Sequence, residues 1–212
     1  MKRIISLINS VFSGSENHPE IKEVRKIGTL HVPTGRIVVC DPLAEPETDP
    51  LVQDFPKGDF PVYLYFTKNN DIAFAELRFS EKTAEKWQMA LLEEEDTDEL
   101  EENEIFGYVV SSSLGCFMDT KGQEKMLRHE MQLMEEMGDD FLSYYDNYMD
   151  NLFYGKGAES ELYATVKPFQ EEKDNVIVFQ AGMGEGFYAS YIGFDSQGIP
   201  VKLVTDFNII DD

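Results

Sequence analysis

The chain has 212 residues, 42% of them hydrophobic, enough to bury a sizeable core within one domain. Its 41 aspartates and glutamates against 18 lysines and arginines give a formal charge of −23, which repels a phosphate backbone and argues against nucleic-acid binding. No stretch reaches the ~18 apolar residues of a membrane span, and the acidity either serves solubility alone or attracts a basic protein, whose association rate such a field can raise by roughly 10- to 1000-fold at low salt.

In chain order, Lys2 and Arg3 precede Ile4, Ile5, Leu7, Ile8, Val11 and Phe12. This resembles a secretory leader, but Ser6, Asn9 and Ser10 interrupt the apolar run and no small-residue cleavage pattern follows. The spacing instead predicts an amphipathic helix docked on the domain, with a polar connection up to Lys26. Two strands, Ile27–His31 and Gly35–Cys40, flank a Pro33-Thr34-Gly35 turn. Pro46, Pro50 and Pro56 make residues 45–58 an irregular connection.

Val62–Phe66 and Ile72–Phe79 then form a hairpin through Lys68-Asn69-Asn70-Asp71. In its second strand Glu76 and Arg78 share one face and Leu77 and Phe79 the other, which predicts one wet and one dry side. Residues 81–92 fit either a strand or a short helix. Nine of the twelve residues from Glu93 to Glu104 are acidic, a density that hydrates well and packs badly, and it predicts a mobile surface loop.

Strands resume at Ile105–Ser111 and Leu114–Met118. Met126, Leu127, Met131, Met134 and Met137 then fall at helical spacing up to Gly138, and Phe141 to Phe153 continue a second helix that stops at Gly155. The Met and aromatic stripe of this hairpin, about 121–154, reads as core or as a lid on the sheet. A meander follows in Leu162–Phe169, Asn175–Ala181, Gly186–Gly193 and Gly198–Phe207, with Asp195 and Gly198 shaping a hairpin loop. The fold class expected is therefore α+β and β-rich, with mostly antiparallel sheets in a sandwich-like or open-barrel arrangement. It is a single domain carrying an inserted helical hairpin and an N-terminal amphipathic helix.

Chemistry is sparse. Cys40 and Cys116 lack any zinc or redox spacing and read as buried apolar residues of a reducing, cytoplasmic protein. Gly182-Met183-Gly184-Glu185-Gly186 is followed by a strand-like run where a phosphate loop needs a helix, so a bulge or tight turn explains its glycines better. Asp41, Asp119 and Glu185 each sit at a predicted strand edge, and their convergence would create a site for Ca²⁺ or Mg²⁺. Turn capping is the commoner use of such residues. Of the three histidines, His18, His31 and His129, none lies in a nucleophile or metal signature, and His129 is expected to face solvent. Tyrosines cluster at Tyr144, Tyr145, Tyr148 and Tyr154 and again at Tyr188 and Tyr191, which suits packing, protein interfaces or sugar stacking alike.

Three segments in this order, Pro33–Pro42, Gly115–Asp119 and Gly182–Tyr188 continuing through Gly193, Asp195 and Gly198 to Leu203–Phe207, resemble a bacterial family known as domain of unknown function 4241. Met183 and Glu185 depart from the Trp and Asp common at those positions. The resemblance implies no activity, but it marks Asp41, Asp119, Glu185, Asp195 and Asp206 as candidate binding positions, with Tyr188 beside them. The leading expectation is a non-catalytic acidic protein that binds a basic protein partner, as an immunity-type protein binds a cationic toxin. The alternative is a divalent-metal-dependent hydrolase or metal-stabilised binding module on Asp41, Asp119 and Glu185, and a sugar-binding sandwich is the third.

Overall fold

Alternation of β-branched and aromatic residues with polar ones produces two antiparallel sheets and a short ribbon in the computed structural model, which describes residues 2–12, 18–101 and 104–210. The larger sheet orders its six strands as β1 (Ile21–Val32), β3 (Gly58–Thr67), β4 (Ile72–Arg78), β12 (Pro200–Asp206), β11 (Ser190–Phe194) and β5 (Lys86–Met89). The smaller orders its four as β2 (Ile37–Cys40), β7 (Leu114–Asp119), β9 (Val176–Gln180) and β8 (Tyr163–Val166), and the ribbon pairs β6 (Tyr108–Val110) with β10 (Gly186–Tyr188).

The core lies between the sheets. Leu64, Leu77 and Leu203 of the larger sheet are fully buried against Phe117, Ile177 and Phe179 of the smaller one. Each outer face then receives helix. On the larger sheet, Leu7, Ile8, Val11 and Phe12 of α1 (Lys2–Phe12) cover Tyr65, Phe74 and Trp87, with the Phe12 ring 4.8 Å from Tyr65 and 5.5 Å from Phe74. On the smaller sheet, Met126 of α2 (Thr120–Met137) and Phe153 of α3 (Asp150–Tyr154) join Tyr144 and Met149 over Val38, Met118 and Val178. The result is α+β, with four layers in the order helix, sheet, sheet, helix, and neither sheet closes into a barrel among the described residues.

Several expectations are modified by this layering. The turn at Pro33–Gly35 does not close a hairpin: β1 and β2 enter different sheets, so the turn is a corner between layers. The final third is not one meander, because β8 and β9 join the smaller sheet, β10 the ribbon, and β11 and β12 the larger sheet. Alternation reports a strand's two faces and not which sheet it enters. Residues 86–89 form a strand, β5, at the sheet edge. Within the acidic segment a 3₁₀ turn at Thr97–Glu99 is capped by Asp96 and Leu100 packs inward, as do Ile105 and Phe106 just after the segment, while residues 102 and 103 of the expected mobile loop lie outside the described residues.

The expected wet face of β4 is dry. Glu76 is fully buried on the side shared with Phe74, where its Oε1 accepts from Lys202 Nζ (2.7 Å) and Arg78 Nε (2.9 Å). Its Oε2 accepts from the Tyr65 hydroxyl (2.6 Å) and Arg78 Nη2 (2.7 Å), and the Arg78 guanidinium lies 4.1 Å over the Tyr63 ring. Burial pushes the Glu76 carboxyl up, but Arg78 and Lys202 outweigh it and hold the group below the ordinary carboxylate range. Replacing Glu76 strands two cations in a covered site, and breaking such a pair costs about 3–5 kcal/mol. Glu76→Ala is accordingly expected to lower the unfolding free energy by about that much in urea titrations, whereas Glu81→Ala, at the exposed end of the same network, should cost under ~1 kcal/mol. Equal losses would show that burial of the network is not what matters.

Candidate functional site

Asp41 follows the last residue of β2 and is fully buried. Its Oδ1 accepts from the backbone N–H of Leu43 (3.0 Å) and Ala44 (3.0 Å) and from Ser112 Oγ (2.6 Å), and its Oδ2 accepts from the N–H of Ser111 (3.0 Å) and Ser112 (2.7 Å). One carboxylate thus pins two turns, its own and the one joining β6 to β7. Ser113, next in that turn, is held at φ 67°, a conformation costly for serine that the neighbouring bonds offset.

Asp119 does the same at the far end of β7. Oδ1 caps α2 through Lys121 N–H (2.9 Å), while Oδ2 accepts from Thr34 N–H (3.0 Å), Thr34 Oγ1 (2.7 Å) and Gly35 N–H (3.2 Å). In the β2–β7 pair Ile37 faces Asp119 and Cys40 faces Cys116, so Asp41 and Asp119 stand on the order of 13 Å apart along the strands. Glu185 is exposed in the glycine turn. The three carboxylates expected to share a Ca²⁺ or Mg²⁺ are therefore not brought together, and the lone pairs of the two buried ones point at N–H and O–H donors. No group of three His, Cys, Asp or Glu with metal-holding geometry occurs among the described residues.

The other candidates also serve the frame. Asp195 Oδ1 accepts from Gln197 N–H (2.9 Å) and Ile199 N–H (3.0 Å), Gly198 takes φ 76°, and Lys82 Nζ donates to Oδ2 at 2.5 Å, so the hairpin loop forms as expected. Lys82, followed by those amides, lowers the Asp195 carboxyl pKa. Buried Asp206 accepts from Asn208 N–H (2.9 Å). The Tyr188 hydroxyl donates to the Gly184 carbonyl (3.0 Å) and its ring packs on Phe207 (5.1 Å), which ties down the glycine turn. Gly182 there has φ 51°, and a Cβ would lie 2.6 Å from Phe207 Cβ, so packing and backbone both demand glycine.

Two features were not read from the sequence. The first is a cavity of about 460 Å³ between the helical insertion and one end of the smaller sheet, lined by Tyr145, Phe153 and Tyr154 of the insertion together with Ser112, Glu161 and Gln180. Only docking of the insertion creates it, and the Tyr145–Met149 segment does so as a π-type turn, wider than an α-helix. The second is the distal half of α2. Met126 is core as expected, but Met131 (62% exposed), Met134 (51%) and, beyond the helix, Leu142 (76%) stand in solvent. His129, expected outside, is half-buried: its Nδ1 is 3.0 Å from the Tyr144 hydroxyl and its ring meets Tyr148 and Phe169 edge-on at 4.6 and 5.5 Å. Burial lowers its pKa.

These features define a class: an α+β protein built on two face-packed antiparallel sheets, whose strand-end carboxylates organise backbone turns. The chain belongs to the family described as "Protein of unknown function (DUF4241)", which it matches over residues 30–205. Neither a comparison with curated proteins nor one with solved structures finds a match.

Burial pushes the Asp41 carboxyl up, but the Ser112 hydroxyl and the amides of Ser112, Leu43 and Ala44 outweigh it, and its pKa falls below the ordinary carboxylate value. A depressed folded pKa contributes stability above the unfolded value of ~3.9 and loses it as pH falls through the folded value. Asp41→Asn is expected to cost about 2–3 kcal/mol at pH 7 and to flatten the decline of stability below about pH 4. Urea midpoints across pH 2–7 check both, and an unchanged acid slope would remove Asp41 as the clamp.

Proposed function

We propose that the protein is a non-catalytic interaction protein that captures a basic protein partner, as an immunity-type protein neutralises a cationic toxin. The observation that carries this reading is the surface of the helical insertion. Residues 129–155 contain seven carboxylates and no lysine or arginine, and the same stretch leaves Met131, Met134 and Leu142 exposed. Exposed apolar groups within a run of carboxylates suit a partner that brings complementary charge and its own apolar side chains. Flexible methionines adapt to such a partner at low cost. The other acidic stretch, 93–104, is a weaker candidate, because its described apolar residue Leu100 packs inward, as do Ile105 and Phe106 just after it.

The alternatives lose support on geometry. Asp41 and Asp119 are separated, and Tyr188 and Tyr191 are buried, which removes this tyrosine pair from any sugar-stacking surface and leaves Tyr154 as the exposed one of the other cluster.

Pull-downs with the basic products of genes adjacent to its own are expected to give a complex that weakens roughly tenfold or more between 50 and 300 mM NaCl. Reversing Glu135, Glu136, Asp139 and Asp140 to lysine should abolish it, while reversing Glu93, Glu94 and Asp96 should weaken it only slightly. Absence of any salt-sensitive complex at low ionic strength would sink the reading.

A further inference from the structure

The cavity beside the Ser111–Ser113 turn has a chemistry that the charge of the surface alone does not explain. Its lining is part aromatic, from Tyr145, Phe153 and Tyr154, with the last two rings 6.3 Å apart, and part polar, from Glu161, Gln180 and Ser112. Ser112 is fixed in place because its hydroxyl donates to buried Asp41. No lysine or arginine lines the cavity among the described residues. At about 460 Å³ it lies within the roughly 300–1,000 Å³ of ordinary ligand sites.

Aromatic rings in one cleft with a carboxylate and neutral acceptors suit a flat, weakly hydrated cation with several donors. An ammonium is compact and strongly hydrated and gains less from stacking, and a neutral amide forgoes the charge. We infer that this cleft is a guanidinium site, which receives an arginine side chain of the partner. The inference rests on the basic-partner reading and adds to it a specific anchor. The guanidinium stacks on the tyrosine rings and donates to Glu161 and Gln180, while the acidic surface of the insertion steers the partner toward it. The long-range field sets the encounter rate and the cleft sets the residence time.

The test uses the full chain and N-acetyl-arginine amide, with N-acetyl-lysine amide and N-acetyl-citrulline amide as comparisons, followed by ¹H–¹⁵N NMR. The arginine derivative is expected to saturate at roughly millimolar concentration and to shift amides of Tyr154, Glu161 and Gln180. Lysine should bind several-fold more weakly and citrulline not measurably. Glu161→Gln and Tyr154→Ala, both at exposed positions, should each weaken arginine at least fivefold with unchanged melting temperature. Equal shifts from citrulline, shifts confined to the distal half of α2, or no saturation would overturn the inference. The two readings fail separately. A basic partner that Glu161→Gln and Tyr154→Ala bind at wild-type strength, but that the lysine reversals on the insertion lose, overturns the cleft and leaves the partner reading standing. If no basic partner binds while arginine amide does, the partner reading falls and the guanidinium site stands.

Discussion

The arrangement depends on the two carboxylates that terminate the β2–β7 pair of the smaller sheet. Asp41 and Asp119 sit at opposite ends of β2 and β7, and between them they accept nine hydrogen bonds, seven from backbone N–H and two from hydroxyls. Each joins segments distant in sequence: Asp41 joins residues 43–44 to 111–112, and Asp119 joins residues 34–35 to the first turn of α2. Buried amides without partners cost free energy, so these turns hold their shape only while the anions are present. The corner between the sheets, the start of the helical insertion and one wall of the cavity all follow from that.

This also accounts for what the sequence disclosed and what it withheld. Local rules located the Asn70 hairpin, the Asp195–Gly198 loop and the helix over Met126, because each depends on residues a few positions apart. Asp41 and Asp119 were picked out as special, yet their role was ambiguous between ligand and cap. The difference lies in register, since four residues of β2 set them far apart. Glu76 failed for a related reason. Its alternation with Leu77 is legible, but the partners that close its face are Tyr65 on the neighbouring strand and Lys202, 126 positions away. The cavity was invisible because it has no local signature.

Charge and its distribution are separate matters in this chain. The net −23 is a property of the whole. Much of its basic complement lies in the larger sheet, where Lys22, Arg25, Lys26, Arg78, Lys86 and Lys202 reside, whereas the helical insertion beyond Arg128 carries carboxylates alone up to Lys156. An approaching cation therefore meets carboxylates alone along residues 129–155 of the insertion.

The Glu76 network has a consequence for how the sequence can drift. Tyr65, Glu76, Arg78 and Lys202 come from three strands and satisfy one another. Loss of the anion leaves two cations facing each other in a covered space, and loss of one cation removes a charged donor from a carboxylate that stays fully buried. Single steps away from the set therefore pass through a poorly folded intermediate, while a concerted exchange for apolar residues of similar volume need not. Among relatives, these four positions should behave as one heritable unit, either retained whole or replaced whole, however freely the surface around them varies.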